Sequence, residues 1–451
     1  MTIALSRPFH VTLDGFNLAL PRGTGVATYA RTLSEALKGM SAQVDVLYGF
    51  NIPAHTPTAL REVLFYDRLG EEEPKTKARF LSERWKARQR STLTGCTVQT
   101  IPTDSRIDTR SFGERMPAFD QLLNARDLFF AAAQRYRATR RFMTIKLPET
   151  PDVMHWTYPF PIRVKGARNV YTIHDLVPLR LPHTTLDDKG YYFRLMNDLC
   201  RHADAICTVS EASKRDIIAF SPQAAPFVHN TYQTTRVPAA LLNSSDETLK
   251  DILERLYGLR RDGYYLFFGS IEPKKNIGRL LEAMLSASAE RPLVIVGAMA
   301  WKATGELRLL ERCLNTGRVI RMEYLPERDL MTLVRGARAL LFPSLAEGFG
   351  LPVIEAMTFG TPVMTSREGA LPEVGGDAVL AVDAYDIPQI TAAIERLDKD
   401  DVLCAKLRAA GPSQAARFDM SSYRTRLEAF YADVMRAPVK GSFAGGGEIL
   451  R

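Results

Sequence analysis

Short apolar runs alternate with amphipathic helical stretches along most of the chain, the pattern of parallel β-α units. Near the start, Phe9–Leu13 reads as a strand, and Gly23-Thr24-Gly25 opens a helix that runs through Tyr29, Leu33 and Leu37 to Gly39. Val44–Tyr48 is a second strand. From Ile52 to Glu149 the alternation gives way to charge clusters, with a basic helix predicted near Gln121–Met143. Order returns with strands at Asp152–His155, Asn169–Ile173 and Ala205–Val209, a helix at Asp187–His202, and a further helix capped by Ser210.

The second half is cleaner. Tyr264–Gly269, Leu293–Val296, Val319–Tyr324, Ala339–Phe342 and Pro362–Thr365 are strand runs. Asn276 is placed as the cap of a helix whose Ile277, Leu280, Leu281 and Met284 form one stripe. Another helix follows Pro326. Pro352 suits the first turn of a third, and Gly360 sits just past its end. Near Asn230–Asn243 the periodicity lapses into polar residues, which puts the expected domain boundary there. The expected division is a first domain over 1–235, a second over 236–420, a helix over 421–440 returning to the first, and a disordered tail over 441–451. Two doubly wound α/β halves are implied, without an internal sequence repeat.

A chain of 451 residues, 46% hydrophobic and 24% charged, is neither disordered nor collagenous nor a coiled coil. A single core rarely grows past ~250–300 residues, so two domains fit the length. Cys96, Cys200, Cys207, Cys313 and Cys404 are scattered with no C-x-x-C pair, which argues against a disulfide scaffold or zinc ribbon and for a reducing cytoplasm. The N-terminal residues lack the features of a signal peptide, and no apolar run approaches the ~18 residues of a membrane span. The net charge of +8 is uneven. Between Lys75 and Lys146, 16 basic residues face 6 acidic ones, so this segment holds the basic character and the remainder is slightly acidic. A charge run of this kind is by itself a solvated face.

Candidate chemistry concentrates in two loops. In Glu347-Gly-Phe-Gly-Leu-Pro-Val-Ile-Glu355, two carboxylates bracket a glycine-rich strand-to-helix turn. Gly348 and Gly350 allow close backbone approach, the helix N-terminus favours a phosphate, and carboxylates accept from sugar hydroxyls. The plainer alternative is that Glu355 only stabilises its own helix end. In Gly269-Ser-Ile-Glu-Pro-Lys-Lys-Asn276, Lys274 and Lys275 follow a strand. Lysines there suit a diphosphate, with a solvated pair as the alternative. Asp398-Lys399-Asp400, the only Asp-x-Asp, reads as a solvated helix end.

In series with Gly360-Thr-Pro-Val and Ala370-Leu-Pro-Glu-Val-Gly-Gly376, these loops closely resemble the retaining glycosyltransferases of family 4, which have the two-domain GT-B fold. The resemblance is strong over Tyr264–Asp383. It is weaker at Gly23-Thr-Gly-Val-Ala-Thr-Tyr29, Thr172-Ile-His-Asp175 and Ala203–Ile217, and nothing specific is recognised between Ile52 and Glu149. It implies that Lys275 binds the donor diphosphate, Glu355 the nucleotide ribose, and Glu347 the transferred sugar, aided by the backbone of Gly348, Phe349, Gly350 and Leu351. Gly25 would face the phosphates, His174 would lie near the sugar, and Tyr324 and Leu325 would border the nucleobase. Ser270 and Lys274 stand where many relatives carry Arg, so two point charges would hold the diphosphate without a bidentate guanidinium.

The reaction implied is transfer of a hexose from a nucleotide-diphosphate sugar with retention, and without a metal ion or other cofactor. The loop wording looks most like bacterial mannosyltransferases using GDP-mannose to build surface polysaccharides. A sugar-nucleotide epimerase and a non-catalytic nucleotide-sugar binder of the same fold are the alternatives. The implied acceptor is a glycan or lipid-linked oligosaccharide. On that reading the basic segment 75–146, where Arg135, Arg137, Arg140, Arg141 and Lys146 interleave with Phe129, Phe130, Tyr136, Phe142 and Met143, becomes a peripheral contact with the inner face of a membrane. No nucleic-acid recognition motif accompanies these charges.

Overall fold

A computed structural model of the chain describes residues 8–20, 25–71, 96–103, 107–113, 115–298, 309–323 and 325–437. Ten strands precede residue 231: β1 (His10–Asp14), β2 (Gln43–Tyr48), β3 (Val98–Ile101), β4 (Gln121–Ala125), β5 (Met143–Ile145), β6 (Val153–Trp156), β7 (Ile162–Val164), β8 (Arg168–Thr172), β9 (Ala205–Thr208) and β10 (Val228–Asn230). Eight form one sheet in the order β10-β9-β8-β6-β1-β2-β4-β3, parallel except for the β3–β4 edge pair, while β5 and β7 pair apart. The remaining strands are β11 (Tyr265–Phe268), β12 (Leu293–Val296), β13 (Val319–Met322), β14 (Ala339–Phe342), β15 (Val363–Ser366) and β16 (Leu380–Val382). They form a parallel sheet ordered β13-β12-β11-β14-β15-β16.

Both are doubly wound sheets, so the fold is two Rossmann-like α/β halves. The central strands are buried on both faces, which is why Tyr265–Phe268 and Ala339–Phe342 read as unbroken apolar runs. The covering helices bury one stripe each. In Gly25–Gly39 it contains Tyr29, Leu33 and Leu37, and in Ile277–Ser286 it contains Leu280, Leu281 and Met284. Strand order reverses between β1 and β6 in the first sheet and between β11 and β14 in the second, and ligands settle at such switch points, outside the carboxyl ends of the strands.

The helix Met420–Arg436 packs against the first sheet. The Tyr431 hydroxyl lies 2.6 Å from His155 Nδ1, and Phe9 packs on the Tyr431 ring. His155 Nε2 meets the Thr172 hydroxyl at 2.7 Å, which in turn meets that of Tyr29 at 2.9 Å. Burial pushes the His155 imidazole down to about 3, so it is neutral in this network.

Four sequence expectations are corrected. Gln121–Met143 is not one helix: β4 occupies its start and the helix is Leu128–Thr139. Leu122, Leu123 and Ala125 are buried between β2 and β3, a tertiary placement that overrides their helical spacing. The apolar side chains interleaved with the arginines mostly turn inward: Phe129, Tyr136 and Met143 are core residues, Phe142 is half-buried, and of these five only Phe130 is exposed, while residues 75–95 of the basic segment lie outside the described residues. Asn276 occupies the N-cap position with φ 62° but makes no side-chain cap. Its Nδ2 donates instead to the Pro343 and Ala384 carbonyls at 2.9 and 2.7 Å, tying together three loops of the second sheet. Asp398 is not solvated, since its carboxylate accepts from the Tyr265 hydroxyl and from Arg291, both at 2.7 Å. All five cysteines are free. Among the described residues no helix is long and apolar enough to cross a membrane. The tail 441–451 lies outside the described residues.

Candidate active site

A cleft of about 790 Å³ lies where the two switch points meet. Its first wall comes from the loop after β1 and from Gly25, Thr28 and Arg31 of the following helix, with His174 and Asp175 after β8. The second wall comes from Gly269–Lys275 after β11, Leu325–Glu327 after β13 and Glu347–Glu355 after β14. Gly25, His174, Ser270, Lys274, Lys275, Leu325, Glu347, Gly348, Phe349, Gly350, Leu351 and Glu355 therefore line one space. Tyr324 lies outside the described residues.

The lysine loop and the glutamate loop are bound to each other. The Leu345 amide donates to the Lys274 carbonyl at 2.7 Å, and Lys275 Nζ donates to Glu347 Oε1 at 2.6 Å while lying 4.8 Å from the centre of the Phe342 ring. The side chains of Lys275 and Glu347 are only 12% and 9% exposed, so this is a largely buried ion pair and not the solvated lysine pair that was the alternative reading of the sequence. Lys274 lies 3.5 Å from Glu272. Burial alone would raise the Glu347 carboxyl, but Lys275 and Lys274 hold it below the usual range. Burial opposes the charge on Lys274, yet Glu347, Asp175 and Glu272 raise it, so the ammonium stays charged.

Glu355 differs sharply. Among the described residues it has no ion-paired ammonium, and its Oε1 accepts from the Thr235 hydroxyl at 2.9 Å. Burial pushes its carboxyl up to about 7, with Glu327 adding repulsion and the Thr235 bond acting the other way. The two glutamates of one motif thus hold opposite electrostatic characters: Glu347 a fixed anion, Glu355 a carboxyl poised near neutrality.

Two helix N-termini close the space from opposite sides. Gly350, with φ 110°, turns the chain into Leu351–Thr358, a backbone angle that calls for glycine. Opposite it, the helix Gly25–Gly39 begins so near that a methyl group on Gly25 would reach Leu351 Cδ1 at 3.9 Å. Each N-terminus carries about half a positive charge and unpaired amides, so the pair favours an anion between them. Gly348 comes so near the first wall that a Cβ there would meet the His174 carbonyl at 2.6 Å.

His174 is oriented from behind. Its Nε2 lies 2.9 Å from the Thr157 carbonyl, which only accepts, so Nε2 carries the proton and Nδ1 is the acceptor of the neutral ring. The Thr157 amide donates to the buried Asp14 carboxylate, and the Tyr29 ring packs edge-on at 4.9 Å from His174. Burial keeps His174 below its ordinary value.

Sequence reasoning missed Thr235, Asp14 and Thr157, which lie far in the chain from the groups they hold. It also missed Glu373, whose carboxylate accepts from the Glu211 and Ala212 amides at 3.1 and 3.0 Å and so caps the helix Glu211–Phe220 from the other half of the molecule. Ser213 adds a bond to the His174 carbonyl at 2.7 Å. The motif match at Ala370–Gly376 was the one signal pointing at Glu373.

Two Rossmann-like sheets turning their switch points onto one cleft define the GT-B architecture. Known proteins agree. Residues 258–414 match the family described as glycosyl transferases group 1, and residues 105–236 match glycosyltransferase family 4. O-antigen chain mannosyltransferase B of Escherichia coli is 33% identical over 269 residues, which cover 57% of this chain and 68% of that protein. The serotype-specific mannosyltransferase WbdA of Escherichia coli is 30% identical over 275 residues, covering 59% of this chain and 34% of the relative. Among solved structures, sucrose-phosphate synthase from Thermosynechococcus elongatus superposes with a TM-score of 0.64 at 16% identity over 95% of this chain and all of that one. Anabaena HepE in complex with UDP and glucose does so at 0.60 and 14%, covering 94% of this chain and all of that one. The chain belongs to glycosyltransferase family 4, the group 1 glycosyl transferases. It is a glycosyltransferase.

Proposed function

We propose that the protein transfers a mannosyl residue from GDP-mannose to a hydroxyl of a growing glycan or lipid-linked oligosaccharide, with retention at the anomeric carbon. The observation that supports it most is the anion trap: two opposed helix N-termini with Lys274 and Lys275 beside them, next to the ionised Glu347. That arrangement suits a diphosphate joined to a polyhydroxyl group. The relatives named as an O-antigen chain mannosyltransferase and a serotype-specific mannosyltransferase favour mannose.

In this reading Lys275, Lys274 and the Gly25 and Gly350–Leu351 backbone hold the diphosphate, with Ser270 beside it. Glu347 accepts from the sugar hydroxyls with the Gly348 and Phe349 backbone, and His174 Nδ1 accepts another. Glu355 accepts from the ribose. Leu325 and Tyr324 border the base. The C1–O bond to the phosphate breaks, the acceptor oxygen bonds C1 on the same face, and its proton passes to the departing phosphate oxygen. The enzyme's part is positioning and neutralising the leaving charge. Lysines and helix N-termini supply that positive charge, so we infer no need for a metal ion, and a chelator should leave turnover unchanged. The exposed arginines of the basic segment would hold the enzyme against an anionic membrane where a lipid-linked acceptor resides.

The experiment is product analysis with GDP-mannose and a mannosyl acceptor, after a thermal-shift panel of nucleotide sugars in which a donor at ~100 times its dissociation constant adds ~2.7 kcal/mol. Proton spectra should show a new α-mannoside. A β-mannoside overturns retention, stabilisation by another nucleotide sugar alone overturns the donor, and free sugar formed at one rate with or without acceptor points to the epimerase class.

A further inference from the structure

Among the described residues four lysine and arginine side chains line the cleft, and they divide cleanly. Lys274 and Lys275 are each ion-paired, to Glu272 and Glu347. Arg31 and Arg115, on the first wall, have no carboxylate within ion-pair distance among the described residues. The Arg31 guanidinium reaches only the Thr28 hydroxyl at 3.3 Å, and that of Arg115 only the Leu20 carbonyl at 3.4 Å, both long contacts.

The two arginines belong together. Both line the first wall of the cleft; burial lowers the affinity of Arg31 for its proton, Glu327 and Glu35 pull the other way, and after the smaller repulsion of Arg236 comes that of Arg115 on Arg31. Both also bear on the Tyr48 phenol, which is buried at the end of β2 with no hydrogen-bond partner. Asn17, 7% exposed in the same wall, leaves its Nδ2 donor without a partner as well. The wall thus gathers two guanidiniums that each make one long hydrogen bond and, beside them, an amide donor that makes none among the described residues. Half-buried guanidiniums with no carboxylate at ion-pair distance are stabilised by a bound oxyanion, and their planar forks match phosphoryl oxygens in pairs.

We propose that Arg31 and Arg115, with Asn17 below them, form a phosphoryl-binding subsite on the first wall that takes the phosphate or diphosphate of the acceptor. This rests on the glycosyltransferase reading above, which leaves the donor's diphosphate to the lysines. Lys274 and Lys275 stand on the second wall, in the loop after β11, whereas Arg31 and Arg115 stand on the first. The acceptor class is therefore a phosphate-bearing glycan carrier and not a neutral glycan alone.

The test begins with calorimetry on the whole protein saturated with GDP, so that the donor site is filled, titrated with inorganic pyrophosphate. Pyrophosphate should bind at one further site, and Arg31→Gln and Arg115→Gln should each weaken it about tenfold or more while changing GDP affinity less than threefold. Arg31→Lys, which keeps the charge without the fork, should fall between. Absence of pyrophosphate binding, or binding the variants leave unchanged, overturns the subsite. Equal losses for GDP and pyrophosphate overturn the assignment to the acceptor and hand the arginines to the donor. Kinetics separate free phosphate from acceptor phosphate: KM should favour a prenyl-diphosphate-linked disaccharide over its methyl glycoside, and both variants should erase that preference. If no nucleoside diphosphate binds the wild type, the glycosyltransferase reading fails first, and pyrophosphate binding alone then shows whether an anion subsite remains.

Discussion

At the scale of single residues, the site turns on the contrast between the two motif glutamates. Glu347 and Lys275 satisfy each other, so removing one strands the other. Lys275→Ala should lower transition-state stabilisation by about 3 kcal/mol, because charge grows on the leaving diphosphate. It should also destabilise the fold, since breaking a buried pair from one side costs roughly 3 kcal/mol. The double variant Lys275→Ala/Glu347→Gln should recover melting temperature but no turnover, a separation that thermal unfolding and single-turnover kinetics read directly. Glu355 offers a second test through its proton. Its carboxyl titrates near 7, and only the ionised form presents all its lone pairs to ribose hydroxyls. GDP affinity should therefore rise as pH increases through about 7, and Glu355→Gln should flatten that dependence while weakening binding by roughly 1–3 kcal/mol for a lost charged hydrogen bond. For stability the sign reverses. A folded carboxyl raised above its ordinary 4.5 favours the fold most below that value, and the contribution fades as pH climbs to about 7. A pH-independent dissociation constant in the wild type would remove the ribose role.

At the scale of elements, the C-terminal helix and the first sheet are joined by the chain Tyr431, His155, Thr172, Tyr29. His155 titrates near 3 when folded against 6.5 when exposed. The unfolded chain thus binds the extra proton between those values, so this contribution is whole above pH 6.5 and is lost progressively on acidification toward 3. Tyr431→Phe should cost roughly 1–3 kcal/mol by leaving a buried imidazole nitrogen unpartnered. His155→Phe should shallow the acid limb of a stability curve measured by urea unfolding across that range. An unchanged limb would mean the network does not govern it. None of these partners could be read from spacing, because Tyr431 stands 276 residues from His155 and Glu355 stands 120 from Thr235. What spacing carried was local: β12 and β14 fall where the apolar runs put them, and Pro352 and Gly360 bracket their helix. Buried parallel strands announce themselves because both faces are apolar. β4 did not, since its Gln121 and Asn124 dilute the run and its neighbours in the sheet come from distant parts of the chain. The glycine-rich loops were legible as a site for the same local reason, while the residues that orient His174 and cap the facing helix were not.

At the scale of the whole molecule, the cleft is fastened where the halves touch, through Glu373 on the Glu211–Phe220 helix and Ser213 on the Gly348 carbonyl. The basic surface is carried by the first half alone. Its helix Leu128–Thr139 buries Phe129 and Tyr136 and ties Tyr136 to Asp198 at 2.5 Å, which leaves Arg137, Arg140 and Arg141 outward. Arg137 rests 4.6 Å above the Tyr191 ring, so one of the three charges is held in place by a neighbouring helix. With Phe129 and Tyr136 committed to the core, membrane attraction is expected from charge with little insertion, at ~1 kcal/mol per exposed Lys or Arg near an anionic surface. Such attraction is screened beyond ~8 Å at physiological ionic strength, so binding should be tight at low salt and collapse as salt rises. Co-sedimentation with phosphatidylglycerol vesicles should show that dependence. Phosphatidylcholine vesicles should bind little, because of Phe129, Phe130, Tyr136, Phe142 and Met143 only Phe130 is exposed. Changing Arg137, Arg140 and Arg141 together to Glu should abolish sedimentation, a loss of at least ~3 kcal/mol or more than a hundredfold. GDP affinity should not move, because none of the three lines the cleft. Salt-resistant binding would mean that insertion, not charge, drives association. Failure to sediment at low salt would leave a soluble acceptor as the substrate.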